Sequence, residues 1–423
     1  MTHAHSIHRP RPLLSALALA AVAALPSACS DFGTVPTETP APLPPPTPAT
    51  LAAHVPTFDI AVDAAAFADM MARYEEDVEL EAAVTMWRGG TEVLTAAPAE
   101  IQIRGNASAA FPLKSLGVKL DDAFDNSSRA LLEVPTVSGG HSLDELRNFR
   151  LRNGGNDFLG TLLKDLAYAR MVAASDLRVV PVYGETAAAL VNGEFYGLVN
   201  LRTEGNANGL SRLLDIRKRD IVLAEINLAE GATEAQPFEV KDGDERIFRR
   251  LEAAIRGGDR AAAMALVDEG SFVDFVLVHA IFAHGDWPDN NVKAYGEAGG
   301  RLRFMAFDFD LAATQHINRG LLYHIRGAQP NYVSQLFDLA YEDEGFRERF
   351  WVRRDELLSA GALRPERLRE NFEVLAKTYA PIIDYQTAAY GHPEGRAAWY
   401  LRLERYVEDY AARYRVIERK DRR

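Results

Sequence analysis

The sequence contains a single cysteine, Cys29, among its 423 residues. An internal disulfide needs two cysteines, so a disulfide-stabilised scaffold is excluded, as is a zinc site built from cysteine thiolates. Basic residues are also fewer than acidic ones: the chain has 47 Lys and Arg and 60 Asp and Glu, which gives a net charge of −13. An acidic chain without a basic stripe is a poor match for proteins that bind nucleic acid or an anionic membrane surface by charge.

The N-terminal region also lacks a hydrophobic run long enough to span a bilayer, because the apolar stretch 13–25 is too short. Arg9 and Arg11 precede this stretch, and the small-residue sequence PSACS follows it. This order predicts a signal peptide over residues 1–29 and an exported protein of the bacterial cell envelope. Cys29 at the cleavage point resembles a bacterial lipoprotein signal, in which the cysteine is lipidated and anchors the protein to the membrane. Ordinary cleavage, which gives a secreted protein, is the alternative.

The rest of the chain divides into three parts. Residues 30–56 are rich in proline, threonine and alanine and predict an extended, solvated linker. Residues 57–205 contain short alternating apolar runs and predict a β-rich N-lobe. Residues 206–423 predict a helical C-lobe that holds one hairpin, in the sequence NVKAYGEAGGRLRFMAFDFD. Strands followed by helices indicate an α+β fold rather than an alternating α/β fold.

Two local patterns stand out within the N-lobe. The Asn192-Gly193 pair between apolar runs predicts a tight β-hairpin. Residues 157–174 predict an amphipathic helix. Its buried stripe is expected to contain Phe158, Leu162, Leu163 and Leu166.

Polar residues with a distinctive order follow the apolar run in HAIFAHGDWPDNNVKAYG. Asp286 ends that run, Asn291 lies five positions later, and a predicted hairpin then ends in FDFD, which contains Asp308 and Asp310. Protein kinases show a similar order: a catalytic-loop Asp, an Asn five positions later that holds a metal, and an Asp after a short hairpin that holds Mg²⁺. If FDFD lies on a strand, both carboxylates face one side and the phenylalanines face the other.

These residues also suit simple turns, because Asp and Asn side chains bind their own backbone. Each residue taken alone fits that structural role, whereas the set in this order favours phosphoryl transfer. The reaction needs a carboxylate to orient the attacking hydroxyl and hard oxygen ligands for Mg²⁺. His284 is expected to brace the loop, and no zinc site is predicted.

Four patches, taken in order, resemble the CotH-type atypical kinases, a family named for spore coat protein H. They are IQIRGNASAAFPLKSLGVKL, FRLRNGGNDFLGTLLKDLAYARM, LVNGEFYGLVNLRTEGN and HGDWPDNNVKAY…RLRFMAFDFDLA. The resemblance implies a kinase that depends on ATP and on Mg²⁺ or Mn²⁺, with a divergent, bilobal, protein-kinase-like fold. It also implies that Asp286 is catalytic and that Asn291 and Asp308 bind the metal, with Asp310 as a second candidate.

The predicted nucleotide-binding residues are Arg104, Gly105, Ser108, Lys114, Lys119, Asp165 and Glu204. The resemblance implies that the first three form a loop over the phosphates. A kinase also needs a lysine for the α- and β-phosphates, held by an acid on a helix. Lys119, on a predicted strand, is favoured over Lys114 for this role, with Asp165 as its candidate partner. Glu204 falls where a hinge to adenine is expected.

Three functions fit these residues. The leading one is transfer of the γ-phosphoryl group of ATP to a Ser or Thr of a protein whose identity the sequence does not give. The second is a catalytically silent, kinase-like module that acts as a surface scaffold, favoured by the scarcity of ATP outside the cytoplasm. The third is a metal-dependent phosphohydrolase built on the same acids.

Overall fold

The computed structural model describes residues 43–121, 148–227, 233–327 and 330–420. Twelve strands lie in these ranges: β1 Thr57–Val62, β2 Glu79–Arg88, β3 Thr91–Arg104, β4 Ser115–Leu120, β5 Asn148–Arg152, β6 Val180–Pro181, β7 Gly184–Val191, β8 Glu194–Thr203, β9 Ile221–Ile226, β10 Glu239–Asp242, β11 Val292–Glu297 and β12 Arg303–Ala306. Thirteen helices lie there as well: α1 Pro48–Ala52, α2 Ala64–Ala72, α3 Lys164–Ala173, α4 Ala207–Leu214, α5 Arg246–Arg256, α6 Arg260–Ala265, α7 Glu269–Ile281, α8 Leu321–Arg326, α9 Tyr332–Tyr341, α10 Glu344–Ala360, α11 Pro365–Tyr379, α12 Ile383–Tyr390 and α13 Arg396–Lys420.

The predicted signal peptide, the candidate lipidation site Cys29 and the first part of the predicted linker lie outside the described residues. The end of that linker is described, and it is part of the folded body. α1 is a helix, and Leu51 and Val55 are buried. The prediction of an extended, solvated segment is therefore wrong for residues 48–52, which are helical, and the side chains of Leu51, Ala52 and Val55 pack into the core. None of the described helices has the length and hydropathy that a membrane crossing needs.

Seven strands of the predicted N-lobe close into a barrel in the order β1-β2-β3-β4-β5-β8-β7. Neighbours pair antiparallel except β1 and β7, whose parallel pairing closes the barrel. Every second residue of β3 is buried from Ala97 to Ile103, the period expected of a strand with one face on a core. The predicted Asn192-Gly193 hairpin is confirmed: it joins β7 to β8, and both turn residues have positive φ, 52° and 80°.

A second sheet has five strands in the order β10-β9-β11-β12-β6. It contains the predicted hairpin, which is confirmed as β11 and β12. The neighbouring β9 was not predicted, because a short apolar run such as IVLAEI does not distinguish a strand from a helix segment. β6, which comes from the predicted N-lobe, pairs parallel with β12. The α+β class is confirmed, whereas the boundary between residues 205 and 206 stays a prediction.

The helix predicted over residues 157–174 is shorter than expected. Gly155–Leu159 forms a 3-10 turn, and α3 begins only at Lys164. The Asp157 carboxylate explains this start, because its Oδ2 accepts the backbone N–H groups of Leu163 and Lys164 at 3.0 Å each. The first turn of a helix leaves such N–H groups without a backbone partner. The expected apolar stripe is nevertheless buried.

The prediction that FDFD continues the hairpin strand is wrong. β12 ends at Ala306, Asp308 has a left-handed backbone with φ of 63°, and Phe309–Leu311 forms a 3-10 turn. Asp tolerates this conformation because its short side chain can bond locally. Alternation of phenylalanine and aspartate therefore produced a tight turn instead of a strand.

α7 and α13 form the centre of the helical part. α7 is buried on all sides from Ser271 to Ile281, as expected of a helix that is apolar all round. α13 packs across its C-terminal end, where the fully buried Arg413 donates to the backbone carbonyls of Ala280, Ile281 and Arg319. α13 therefore holds the chain segments on both sides of the candidate catalytic loop.

Replacing Arg413 by Ala should strongly destabilise the protein. The carbonyls of Ala280, Ile281 and Arg319 would lose their donor, and we expect the free energy of unfolding to fall by about 3–5 kcal/mol, as for other broken buried polar networks. Urea denaturation measures the change. Arg405→Ala, on the exposed side of the same helix, is the control and should cost less than about 0.5 kcal/mol. Equal losses in the two variants would contradict a specific role for Arg413.

Candidate active site

Asp165 lies in the first turn of α3 and is 3% exposed. Two arginines from the barrel approach its Oδ2: Nη1 of Arg202 on β8 at 3.1 Å and Nε of Arg152 at the end of β5 at 3.4 Å. The backbone N–H of Phe309 donates to Oδ1 at 2.8 Å. Asp165 thus links the barrel, α3 and the turn that follows β12.

Asp308 and Asp310 converge on the same guanidinium. Arg152 Nη2 donates to Asp310 Oδ2 at 2.9 Å and also to Asp308 Oδ1. Burial alone would lower the pKa of Arg152, but attraction by Asp308, Asp165 and Asp310 outweighs it and raises this pKa above its ordinary value. Burial, followed by repulsion from Asp308, raises the pKa of Asp310 well above its ordinary value. The three carboxylates and Arg152 are therefore one strongly interacting group.

The backbone after β5 closes this group from the barrel side. The Asn156 N–H donates to Asp310 Oδ2 at 2.8 Å, and the Asn156 side chain donates to Oδ1 at 3.3 Å. Gly155 has φ of +63°, and a Cβ at this position would overlap Asp310 Oδ2 and Arg152 Nη2. Only glycine allows the backbone to come this close in this conformation.

The loop after α7 brings Asp286 and Asn291 into contact, with Asn291 Nδ2 donating to Asp286 Oδ2 at 3.0 Å. His284 Nε2 faces Asp286 Oδ1 at 2.9 Å. Behind it, the Nδ1 atoms of His284 and the buried His279 are 2.8 Å apart. Burial would raise the pKa of Asp286, but the charge and hydrogen bond of His284 outweigh it and lower this pKa below its ordinary value. Asp286 is thus held in its ionised form.

Phe309 connects the two groups of acids. Its backbone N–H binds Asp165, while its ring centre lies 5.6 Å from that of His284. The Gly285 N–H also donates to the Leu311 carbonyl at 3.2 Å, so the Asp286 loop lies directly against the turn that contains Phe309. The predicted catalytic and metal-binding residues therefore form two contacting sets that meet at this turn.

The two candidate lysines lie elsewhere. Lys119 is on the outside of β4 with its side chain 65% exposed, and it pairs with Glu100. Lys114 is buried, and its Nζ donates to the Ala109 carbonyl at 2.6 Å, a contact that holds the loop after β3. The cations that the structure brings to Asp165 are arginines, not lysines.

The predicted phosphate loop follows β3. Gly105 has φ of +115°, and Ser108 lies in the 3-10 turn Ala107–Ala110. Asn153 Nδ2 donates to the Ser108 carbonyl at 3.1 Å. This bond ties the loop to the segment after β5, so the loop and the acid cluster share one anchor.

Glu204 directly follows β8 and is 9% exposed. Arg150 Nη2 is 3.1 Å from its Oε2. Burial would raise the pKa of Glu204, but attraction by Arg150, Arg104 and Lys293 outweighs it and lowers this pKa. The structure therefore brings Arg104 and Glu204 together in a second charged group, joined to the acid cluster through β5, which contains Arg150 and Arg152 two residues apart.

Sequence reasoning missed Arg152 and Arg202, although both lie in the patches FRLRNGGND and LVNLRTE. One signal was available. Gly154-Gly155 follows FRLRN, a short alternating run of the kind that predicts a strand, and a glycine there often marks a close approach of the backbone to another group. Arg152 stands two residues before this pair and could have been recognised as a side chain at that approach.

A divalent metal fits part of this arrangement. Within the described ranges, no three His, Cys, Asp or Glu side chains meet in a way that could hold a metal ion. Nucleotide-dependent enzymes, however, often bind Mg²⁺ through one or two carboxylates together with substrate phosphates. Oδ1 of Asp308 and Oδ2 of Asp310 both contact the same atom, Nη2 of Arg152. This donor pair suits a hard cation.

The fold and the site define a mixed α+β protein with a buried cluster of acids at the junction of a barrel and a helical part. The sequence model of the family described as CotH kinase protein matches residues 101–417, which is most of the chain. The chain belongs to the CotH kinase family, and this membership indicates a kinase-like function. The match extends beyond the four patches and includes the C-terminal helices. None of the curated proteins matches the sequence.

Replacing Gly155 by Ala should displace the Asp310 carboxylate from Arg152 and Asn156. The added Cβ would overlap Asp310, and we expect a loss of about 2–4 kcal/mol in the free energy of unfolding from backbone strain and the broken contacts. Thermal or urea denaturation measures the loss. Gly193→Ala is a matched control, because Gly193 also has positive φ but has open space around its missing Cβ. Similar losses in both variants would mean that strain alone acts at Gly155.

Replacing His284 by Gln should raise the pKa of Asp286, because burial would no longer be opposed by the interactions of this carboxylate with His284. In the wild type the pKa of Asp286 is depressed, so the ionised carboxylate stabilises the folded state. This contribution is present above the unfolded-state pKa of Asp286 and is lost as the pH falls through its folded-state pKa. We expect the variant to lose about 2 kcal/mol just above the unfolded-state pKa of Asp286 and progressively less as the pH falls through its folded-state pKa. Urea denaturation at several pH values tests this, with the exposed His54→Gln as the control. A difference that stays constant in acid would contradict the ion pair.

Proposed function

We propose that this protein is an exported kinase that transfers the γ-phosphoryl group of ATP to Ser or Thr of a protein substrate, with Mg²⁺ or Mn²⁺ as cofactor. The observation that supports this most directly is the meeting of two sets of side chains at one turn. Asp165, Asp308 and Asp310 share Arg152, and the Asp286 loop lies against the same turn. Membership of the CotH kinase family supports the reaction class.

The proposed architecture is a divergent, kinase-like arrangement of two lobes. The barrel would supply the nucleotide side of the site, with the loop at Arg104, Gly105 and Ser108 over the phosphates and Glu204 near the adenine. The helical part would supply the catalytic loop. Asn153 supports this assignment, because it ties the loop after β3 to the segment that contacts Asp310.

Asp286 is the proposed catalytic residue, which orients the substrate hydroxyl and accepts its proton. His284 keeps this carboxylate ionised, and Asn291 fixes the orientation of its second oxygen. A depressed pKa makes Asp286 a weak base, so positioning of the hydroxyl is its larger contribution. Asp286 is 26% exposed at its side chain, which leaves a face open to substrate.

Asn291 and Asp308 are the proposed metal ligands, with Asp310 as the second carboxylate. When bound, Mg²⁺ supplies charge neutralisation of the phosphates. Asp308 is the more accessible of the two acids, with 26% of its side chain exposed against 3% for Asp310. Asp310 accepts two hydrogen bonds from Asn156, which favours Asp308 as the main ligand and Asp310 as a second carboxylate fixed beside it.

Cys29 is the proposed lipidation site, and it would anchor the folded body to the cell envelope. Ordinary secretion after signal cleavage is the alternative location. Mass spectrometry of the mature N-terminus distinguishes them, because an acylated Cys29 adds the mass of its fatty acids.

Asp286→Asn should reduce phosphoryl transfer by about 10²-fold or more, because the amide can neither take the proton nor supply the negative charge. Incorporation of labelled phosphate from ATP, into the protein itself and into added proteins, measures the rate with Mg²⁺ or Mn²⁺. Asp69→Asn, on an exposed ion pair of α2, is the control and should leave the rate unchanged.

Two results would replace this proposal with another. Equal labelling by wild type and Asp286→Asn, or no metal-dependent nucleotide binding at millimolar ATP, would favour the silent scaffold. Phosphate release from small phosphoesters without a preference for ATP would favour the phosphohydrolase.

A further inference from the structure

The cluster around Arg152 contains more carboxyl groups than guanidiniums. Three carboxylates, Asp165, Asp308 and Asp310, lie beside two guanidiniums, those of Arg152 and Arg202. Both guanidiniums are always protonated, and this set contains one acid more than it has guanidiniums. Such a cluster favours a further cation over a neutral ligand.

Arg152 and Arg202 differ in how firmly they are held. Arg202 is 2% exposed, and its Nη2 donates to the Val182 carbonyl at 2.9 Å, so it is fixed to the barrel as well as to Asp165. Arg152 is 12% exposed at its side chain, and the contacts identified for its guanidinium are to carboxylates. Its Nε faces Asp165, while Nη2 reaches Asp308 and Asp310. Rotation about the Cδ–Nε bond swings the planar guanidinium as one unit and leaves Nε in place, so Nη2 can leave the acid pair while Nε stays near Asp165.

The position of Arg152 Nη2 is the position that a divalent cation would take between the two carboxylates. A guanidinium nitrogen and a metal cannot occupy it together, since each requires contact with the same oxygens and the two charges repel. A divalent cation bound there would add two positive charges beside Arg152 and Arg202 and would leave the cluster with an excess of positive charge. The displaced guanidinium is then drawn to the nearest added anion, and a planar guanidinium matches the geometry of phosphate oxygens.

We propose that Arg152 is the phosphate-binding cation of this site and that, before nucleotide binds, it holds Asp308 and Asp310 in place of the metal. This inference rests on the proposed function. It assigns to Arg152 the role for which Lys119 and Lys114 were the sequence candidates. Asp165 then serves as the pivot that keeps Arg152 in place in both arrangements. Metal and Arg152 compete for one acid pair, so the metal should bind weakly until phosphate accepts the arginine.

Mn²⁺ binding to the full chain without nucleotide tests the competition. Arg152→Gln removes the competing charge, and we expect the dissociation constant measured by titration calorimetry to fall about tenfold or more. Arg88→Gln is the matched control: it breaks a half-buried pair with Glu185 in the barrel, and it should leave Mn²⁺ affinity unchanged. If Arg152→Gln does not fold, the double variant Arg152→Gln/Asp165→Asn removes one charge of each sign and carries the same expectation.

Nucleotide binding tests the second half of the inference. With saturating Mn²⁺, ADP affinity should fall about tenfold or more in Arg152→Gln and less in Arg152→Lys, which keeps a charge but not the planar fork. Equal Mn²⁺ affinity in wild type and Arg152→Gln, no Mn²⁺ binding by either, or unchanged ADP affinity would overturn the inference. If Mn²⁺ binds more tightly to the variant and ADP more weakly, but wild type transfers no phosphate, only the proposed kinase reaction fails.

Discussion

The guanidinium of Arg152 is the contact on which the site depends, because it binds three acids from two separate segments. Asp165 begins α3, while Asp308 and Asp310 lie in the turn after β12. Burying these carboxylates without a cation would cost several kcal/mol for each charge. The end of β5 must therefore stay beside both α3 and the turn, and Gly155 is glycine because the chain has to pass this close to Asp310.

The C-terminal helices support the site from the opposite side. On α13, Tyr406 donates to Asp157 Oδ1 at 2.7 Å, and Asp157 in turn binds the N–H groups that begin α3. Seven residues further along α13, Arg413 binds the carbonyls that precede the Asp286 loop. One helix thus positions both sets of acids. The family match, which runs to residue 417, includes most of this helix.

Features that depend on neighbouring residues could be predicted from the sequence, whereas contacts between residues far apart in the chain could not. The Asn192-Gly193 turn and the buried α7 follow from neighbouring residues alone, so both could be predicted. The choice between Lys119 and Arg152 depends on which residues of adjacent strands face the acid cluster. β4 turns Lys119 to the outside, whereas β5 ends with Arg152 at the junction. Spacing along a single strand does not contain that information, so the sequence predicts the order of the acids but not the cation that binds them.

The FDFD turn shows how a wrong local structure led to a correct grouping. On a strand, Asp308 and Asp310 would share a face and Phe309 would point away from them. In the observed turn, the left-handed backbone at Asp308 sends both carboxylates to Arg152 and drives the Phe309 ring between α3 and the catalytic loop. A non-glycine residue in this conformation costs free energy, and the surrounding contacts must supply it. The buried ring and the bond from its N–H to Asp165 provide that stabilisation, so the residue that appeared to be a spacer couples the acids to the loop that contains Asp286.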